Sequence, residues 1–462
     1  MRTDMRIPDD FTLGVASASF QIEGAVDKDG RSPSIWDKFC DKRGAIEDKT
    51  NGKIAAGHYD LWHDDVALLK SINTPAYRFS LAWPRIYPDG KGILNTSGLG
   101  FYDRLIDALL EAGIEPWVTL YHWDLPQALQ DSIGGWNHPD IANIFADYAR
   151  TCFQRLGDRV KNWISLNEPW CTSILGYGVG MFAPGIRDKA MGYTTAHNQL
   201  RAHAYAASVY HKDFSGQGGQ IGLTNNCDWR EPDTDFPEDI DAAQRALEFF
   251  LGWFADPVYF GDYPAVMRER VGDLLPHFTE ADSKLLKGSS DFFGLNHYTT
   301  MLVRAPKESE KIKVDKFGNG GFIDDQDVIL ISPPQWPKTD MGWNITPWGC
   351  NRLLHWIDKR YDHPTIYITE NGIAYRGQDQ ESAINDQARI DFVGDYLKAC
   401  LEARKEGVDL RGYFHWAFMD DFEWSMGLKH RFGLFHVDWN TLKRTPKRSA
   451  GWFAELVSKR EL

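Results

Sequence analysis

The stretch 160-VKNWISLNEPW-170 sets an apolar run rich in β-branched and aromatic residues directly before an acid held between an amide and a proline. Val, Trp and Ile favour an extended strand, and the proline stops it. A second stretch far downstream, 366-IYITENGI-373, repeats the plan, with the turn dipeptide Asn-Gly after the acid. Glu168 and Glu370 therefore each stand at the tip of a strand. They are either two unrelated loop acids or the two sides of one site, and the strands between them decide which.

Short β-branched or aromatic runs alternate with helical patterns along the chain. Eight candidate strands stand out: 11-FTLGVA-16, 75-PAYRFS-80, 115-EPWVTL-120, 162-NWISL-166, 220-QIGLT-224, 291-DFFGLN-296, 365-TIYIT-369 and 411-RGYFHWAF-418. Helical periodicity marks 60–72, 99–113, 140–156 and 385–404 between them. Two of these segments end at or just before a glycine, Gly113 and Gly157, as a helix C-cap would. Eight β-then-α units without a break in composition predict an α/β fold. It is one closed (β/α)8 TIM barrel over residues 1–462, a single catalytic domain enlarged by loop insertions. The irregular stretches 26–53 and 304–342 each follow a strand, so they are expected as loops on the C-terminal face, where such barrels carry their active sites. Strands four and seven lie on opposite sides of the mouth. Their tips would turn Glu168 and Glu370 into one pocket.

The totals suit that architecture. The chain has 462 residues, 43% hydrophobic and 25% charged, enough to bury a large core without staples. A net charge of −14 repels nucleic acid and anionic lipid, so neither is expected as a partner. The six cysteines, at 40, 152, 171, 227, 350 and 400, form no C-x-x-C pair, which excludes zinc ribbons and thioredoxin-type sites; free thiols are expected. No apolar run is long enough to span a membrane, and MRTDMRIPDDFTLG lacks the apolar stretch of a signal peptide, so a cytoplasmic location is expected. The sequence leaves homo-oligomerisation open. The 18 Trp, 18 Tyr and 26 Phe either fill the core or line a site for a ligand with flat apolar faces, such as a pyranose ring.

Two carboxyls in one pocket can cleave a glycosidic bond: one protonates the leaving oxygen, and the other supports the oxocarbenium-like centre. A shared pocket would push their pKa values apart. Neither tripeptide, NEP or TEN, carries this alone; their placement on strands four and seven does. Further polar and aromatic residues fall at other strand ends: Gln21, Arg78, His122, Trp123, Asn296, Tyr298, Trp416, Glu423 and Trp424. Any one of them would more often be a satisfied core residue, but together they converge on one face. The chain has no H-E-x-x-H and no phosphate-binding G-x-x-x-x-G-K-[ST]. The glycines of 216-GQGGQIG-222 precede a strand instead of following one, unlike a dinucleotide loop. No metal or cofactor is expected.

The motifs QIEG (21–24), YRFS (77–80), YHWDLPQAL (121–129), NEPW (167–170), GLNHYT (294–299), ITENG (368–372) and DFEW (421–424) resemble glycoside hydrolase family 1. They run in family order over essentially the whole chain, and their flavour is similar to intracellular fungal β-glucosidases. The resemblance implies a retaining exo-β-glycosidase, a β-glucosidase releasing terminal glucose from short oligosaccharides such as cellobiose and from aryl or alkyl glucosides. Transglycosylation and some galactosidase or fucosidase activity would accompany it. It implies Glu168 as general acid/base and Glu370 as nucleophile, with Arg78, Asn296 and Tyr298 supporting the nucleophile. Asn167 would bind the sugar 2-hydroxyl. Gln21, His122 and Glu423 would take the other hydroxyls, helped by the N–H groups of Trp123 and Trp424, with Trp416 beneath the ring. Trp343 would be a platform for the aglycone, and Cys171 and Asn225 are assigned to the aglycone entrance.

Both carboxyls are present, unlike in family members that cleave thioglucosides or act as receptors. Glu423-Trp424 is intact and Phe432 stands where the phosphosugar branch has Tyr, so an unphosphorylated sugar is expected. Asp421 departs from the family's usual Asn and is expected to be solvated; Trp83-Pro84 departs from Trp-Ser. The non-enzymatic alternative is a sugar-binding barrel, which would show no turnover.

Overall fold

Each of the eight β-branched and aromatic runs forms a strand, and the strands pair in parallel around a closed barrel in the computed structural model, which describes residues 5–308, 310 and 323–462. They are β1 (Thr12–Ala16), β2 (Ala76–Ser80), β3 (Glu115–Tyr121), β4 (Asn162–Asn167), β5 (Gln220–Asn226), β6 (Phe293–Asn296), β7 (Ile366–Asn371) and β8 (Leu410–Trp416). Sequential strands are neighbours, and β1 closes the ring by pairing with both β2 and β8. β8 stops two residues short of the expected 418. The Ala417 and Phe418 amides leave the ladder to donate to the carbonyls of Phe432 and Ala16.

The four helical patterns become His58–Ser71, Thr96–Glu111, Ile141–Leu156 and Gln387–Lys405. Gly113 takes the left-handed φ of 76° expected of a glycine cap, whereas Gly157 stays right-handed at −74°. Close approach, not handedness, explains the glycine at 157: a Cβ there would lie 2.5 Å from the Phe153 carbonyl oxygen.

Alternation along the strands fills the barrel in layers. Trp117, Tyr367 and Phe414 point inward and meet Phe292, with Trp117 centroids 4.7, 5.0 and 5.7 Å from Tyr367, Phe414 and Phe292. This aromatic plug closes the lower barrel. Above it the interior turns polar, with Arg78, Thr119, Thr224, Asn296 and Thr369.

Near the mouth, register shifts interrupt the alternation in β4 between Ile164 and Asn167 and in β7 between Ile368 and Glu370. Strict alternation from the inward Ile164 would turn Asn167 outward. Instead Ser165 and Leu166 both face the helices, where Ser165 Oγ meets His203 Nδ1 at 2.7 Å, and Asn167 turns in. Such irregularities re-aim a side chain at the rim of a barrel.

Three features were not expected from the sequence. Trp229–Pro232, Thr300–Arg304 and Ile329–Ile331 form a small sheet beside the mouth. Phe435–Val437 and Arg444–Pro446 form a hairpin. The stretch 26–53 carries a helix, Ile35–Cys40, started by a capping box between Ser34 and Asp37. The expected loop 304–342 is described only in part; residues 309 and 311–322 lie outside the described residues. All six cysteines are unbridged. Among the described residues no helix is long and apolar enough to cross a membrane.

Candidate active site

Arg78, on β2 and 1% exposed, reaches across the barrel axis to the tips of β4 and β7. Its guanidinium donates to Glu370 Oε1 at 2.5 Å, to the Thr369 carbonyl at 3.0 Å, to Asn167 Oδ1 at 2.6 Å and to Thr119 Oγ1 at 3.3 Å. The Tyr298 hydroxyl donates to the other oxygen of Glu370 at 2.9 Å. Two of the three expected supports of Glu370, Arg78 and Tyr298, are therefore in contact with it.

Glu168 has different company. It accepts from Asn296 Nδ2 at 2.7 Å and from the Cys171 thiol at 3.0 Å, with no cation in contact among the described residues. Asn296, expected beside Glu370, thus bonds directly to Glu168, while its amide also favours the ionised form of Glu370. Burial, then the charge of Glu370, raises Glu168 to about 8. Burial raises Glu370 as well, but the charge and hydrogen bond of Arg78 and the Tyr298 hydroxyl pull against it. Of the pair, Glu370 carries the charge and Glu168 the proton.

Around these two lies a cavity of about 330 Å³ lined by His122, Trp123, Trp416, Glu423 and Trp424, among others. His122 is held neutral by burial and by Arg78, which drive its pKa well below 6.5. Its Nε2 then accepts from Asn167 Nδ2 at 3.1 Å, and its Nδ1–H has no partner among the described residues. Gln21 donates to the Phe422 carbonyl and toward Glu423 Oε2, leaving its Oε1 unpartnered. Glu423 is raised to about 8 by burial, then by Glu370 and Glu168. His122 stacks on Trp416 and Trp424, each centroid 5.8 Å away. Trp123, Glu168 and Trp424 have left-handed φ values of 77°, 46° and 48°, a conformation that costs non-glycine residues about 1–3 kcal/mol each and concentrates at functional sites.

Four further expectations change. The Trp123 ring lines the cavity, but its N–H donates to the Asn167 carbonyl at 2.9 Å instead of facing a ligand. Cys171 touches the carboxyl of Glu168 itself, so its place is deeper than an entrance. Asn225 does not line the cavity; Asn226 does, because consecutive strand residues face opposite sides. Asp421 is not solvated. It is 0% exposed, both its carboxyl oxygens lack partners among the described residues, and burial followed by Glu423 pushes its pKa well above 3.8. Trp343 lines the cavity as expected, packing on Tyr298 with centroids 5.2 Å apart. The sequence did not single out Asp228, Arg230, Phe250 or Met301, which come from the small sheet and the helical segment near it. Trp83 is a core residue whose N–H donates to the Gly90 carbonyl.

A family model described as glycosyl hydrolase family 1 matches residues 3–462. Beta-glucosidase 4 of Oryza sativa subsp. japonica is 44% identical over 97% of this chain and 94% of its own length. Beta-glucosidase 1B of Phanerodontia chrysosporium is 45% identical over 97% of this chain and 85% of its own. A solved rice β-glucosidase variant in a covalent complex with Glc is 42% identical, with a TM-score of 0.93 over 97% of this chain and 98% of that one.

Two titrations check this electrostatic arrangement. The Cys171 thiol favours the ionised form of Glu168, so Cys171→Ala is expected to raise the Glu168 pKa above about 8 and Cys171→Ser to bring it back. Infrared difference spectroscopy of the carboxyl stretch reads the shift; an unmoved titration would remove the thiol from the site's electrostatics. Asp421 has a folded pKa raised above its unfolded 3.8, so ionisation adds no cost to its burial below that pH. The cost grows as pH rises toward the folded pKa. Asp421→Asn removes the ionisable group, and its urea midpoint is expected to exceed that of the native protein at pH 7, the difference vanishing as pH falls to 4. An advantage that persists at pH 4 would mean the charge is not its source.

Proposed function

The chain belongs to glycosyl hydrolase family 1 and is a glycosidase, and on that premise we propose that it is an exo-acting, retaining β-glucosidase with residues 1–462 as one catalytic domain. The observation that carries the mechanism is the unequal support of the two carboxyls. One is protonated near neutrality, and the other is held charged by Arg78 and Tyr298.

Glu370 attacks the anomeric carbon from the face opposite the leaving oxygen while Glu168 passes its proton to that oxygen. The bond to the leaving group breaks as the bond to Glu370 forms. Glu168, now ionised, takes a proton from water, which displaces Glu370 from the same carbon. Two inversions leave the β configuration. The rice relative captured in a covalent complex with Glc supports such an intermediate. Asn167, held by Arg78 and Asn296, meets the 2-hydroxyl; Gln21 and His122, each with an idle polar atom, and Glu423 meet the others. Trp416 lies under the ring and Trp424 beside it. The charged groups that act on Glu423 are Glu370 and Glu168, with no Lys or Arg among them to hold a phosphate, so the sugar is unphosphorylated.

The substrates are cellobiose-like oligosaccharides and aryl or alkyl β-glucosides. Some turnover of galactosides and fucosides accompanies this, and a second sugar replaces water when it is abundant.

Hydrolysis of p-nitrophenyl β-D-glucoside, followed by NMR, is expected to release the β anomer of glucose first. The α anomer would overturn the retaining mechanism, and silence on this and the galactoside would leave a sugar-binding barrel. Glu370→Ala is expected to lose hydrolysis and to regain turnover with azide, yielding the α-glucosyl azide. Glu168→Gln is expected to slow cellobiose cleavage about 10²–10⁴-fold while sparing glucosides with good leaving groups in the first step. Because Glu168 must hold its proton, kcat/KM is expected to fall as pH rises through about 8.

A further inference from the structure

On the wall of the same pocket, the short strand Trp229–Pro232 turns one side chain, Arg230, inward. Arg230 is 3% exposed, and its guanidinium lies 5.0 Å from the Phe250 ring centroid. One nitrogen stands 3.6 Å from Asp228 Oδ2, beyond hydrogen-bond distance. The other two, Nε and Nη1, have no partner among the described residues. The buried Arg78 and Arg389 are used differently: all three nitrogens of each donate to protein acceptors. A buried guanidinium with idle donors is costly, and an acceptor brought by a ligand would relieve it.

An idle acceptor sits on the same wall. Asn226 Oδ1 is buried without a partner among the described residues, and the Asn226 amide leans on Cys171, the residue in contact with Glu168. Idle donors and an idle acceptor together suit hydroxyl groups, each of which both gives and takes a hydrogen bond. An anionic leaving group suits the wall poorly, since Glu370, which carries the charge of the carboxyl pair, and Asp228 also line the cavity. Trp343 and Met301 supply apolar surface for the C–H face of a ring.

We propose that Arg230, with Asp228 and Asn226, forms the specificity-determining contact for a hydroxylated leaving group, so that the site selects a second sugar ring over a plain aromatic aglycone. The proposal deepens the β-glucosidase assignment and rests on it.

The experiment compares kcat/KM for cellobiose and for phenyl β-D-glucoside in the native enzyme and in Arg230→Met, which keeps the apolar stem and removes the donors. The cellobiose-to-phenyl ratio is expected to fall about 10-fold or more, the loss that follows when a charged donor to a hydroxyl is removed. Arg230→Lys, which keeps the charge without the fork, is expected to shift the ratio the same way by less, and it carries the test if the Met variant does not fold. A ratio unchanged within about twofold in both variants would overturn the proposal. So would a larger loss on 4-carboxyphenyl β-D-glucoside than on cellobiose, which would make the wall an anion site. Native enzyme silent on both neutral glucosides would refute the β-glucosidase assignment itself, an outcome distinct from an unchanged ratio.

Discussion

One buried guanidinium organises the centre of this molecule. Arg78 sits on β2 and binds acceptors on β3, β4 and β7 at once, so its hydrogen bonds cross-link the barrel at the level of the site. Removing one member of such a buried pair typically costs about 3–5 kcal/mol, because the other charge is left alone. The same contact decides the chemistry. Two carboxyls in one low-dielectric pocket cannot both ionise cheaply, and Arg78 touches only one of them. The asymmetry between Glu168 and Glu370 thus follows from which strand tip the arginine reaches.

Placing those tips required the barrel to break its own rules. β-Strands alternate, and alternation alone would put Thr369 inside and Glu370 outside. The register shift before Glu370 lets both face inward, where Thr369 donates to Asn296 and Glu370 accepts from Arg78. Trp123, Glu168 and Trp424 have left-handed backbones at the cavity wall. Local rules fail where the site is built, as expected when strain is retained for positioning.

That pattern explains what could be read from the chain. The eight strands were legible because β-branched runs alternate with amphipathic helices at short range, and the barrel followed from their number and order. Glu168 and Glu370 were legible because each ends a run before a turn signal. The contacts of Trp123, Cys171 and Asn225 were not. Whether an indole N–H faces a ligand or the Asn167 carbonyl, and whether residue 225 or 226 looks inward, depends on dihedrals and register that composition does not encode. Arg230 escaped notice because a four-residue strand in a small side sheet carries almost no periodicity. Asp421 was misjudged for a related reason: an acid in a polar stretch reads as solvated, and only the packed structure buries it.

The pocket then divides into two walls of different character. On the inner wall, the polar atoms of Arg78, Asn167 and Asn296 are largely committed to one another, which fixes the carboxyls before a ligand arrives and lowers the cost of ordering them on binding. On the outer wall, Arg230 and Asn226 keep polar atoms idle. A saturated wall suits chemistry that must be the same for every substrate, since nothing there needs to move or choose. An unsaturated wall suits selection, because a leaving group is favoured according to how many idle atoms it satisfies and disfavoured for each it leaves buried and alone. On the proposed reading, reaction and selectivity are carried by separate residues, and the outer wall can change without disturbing the Arg78 contact on which the inner one depends.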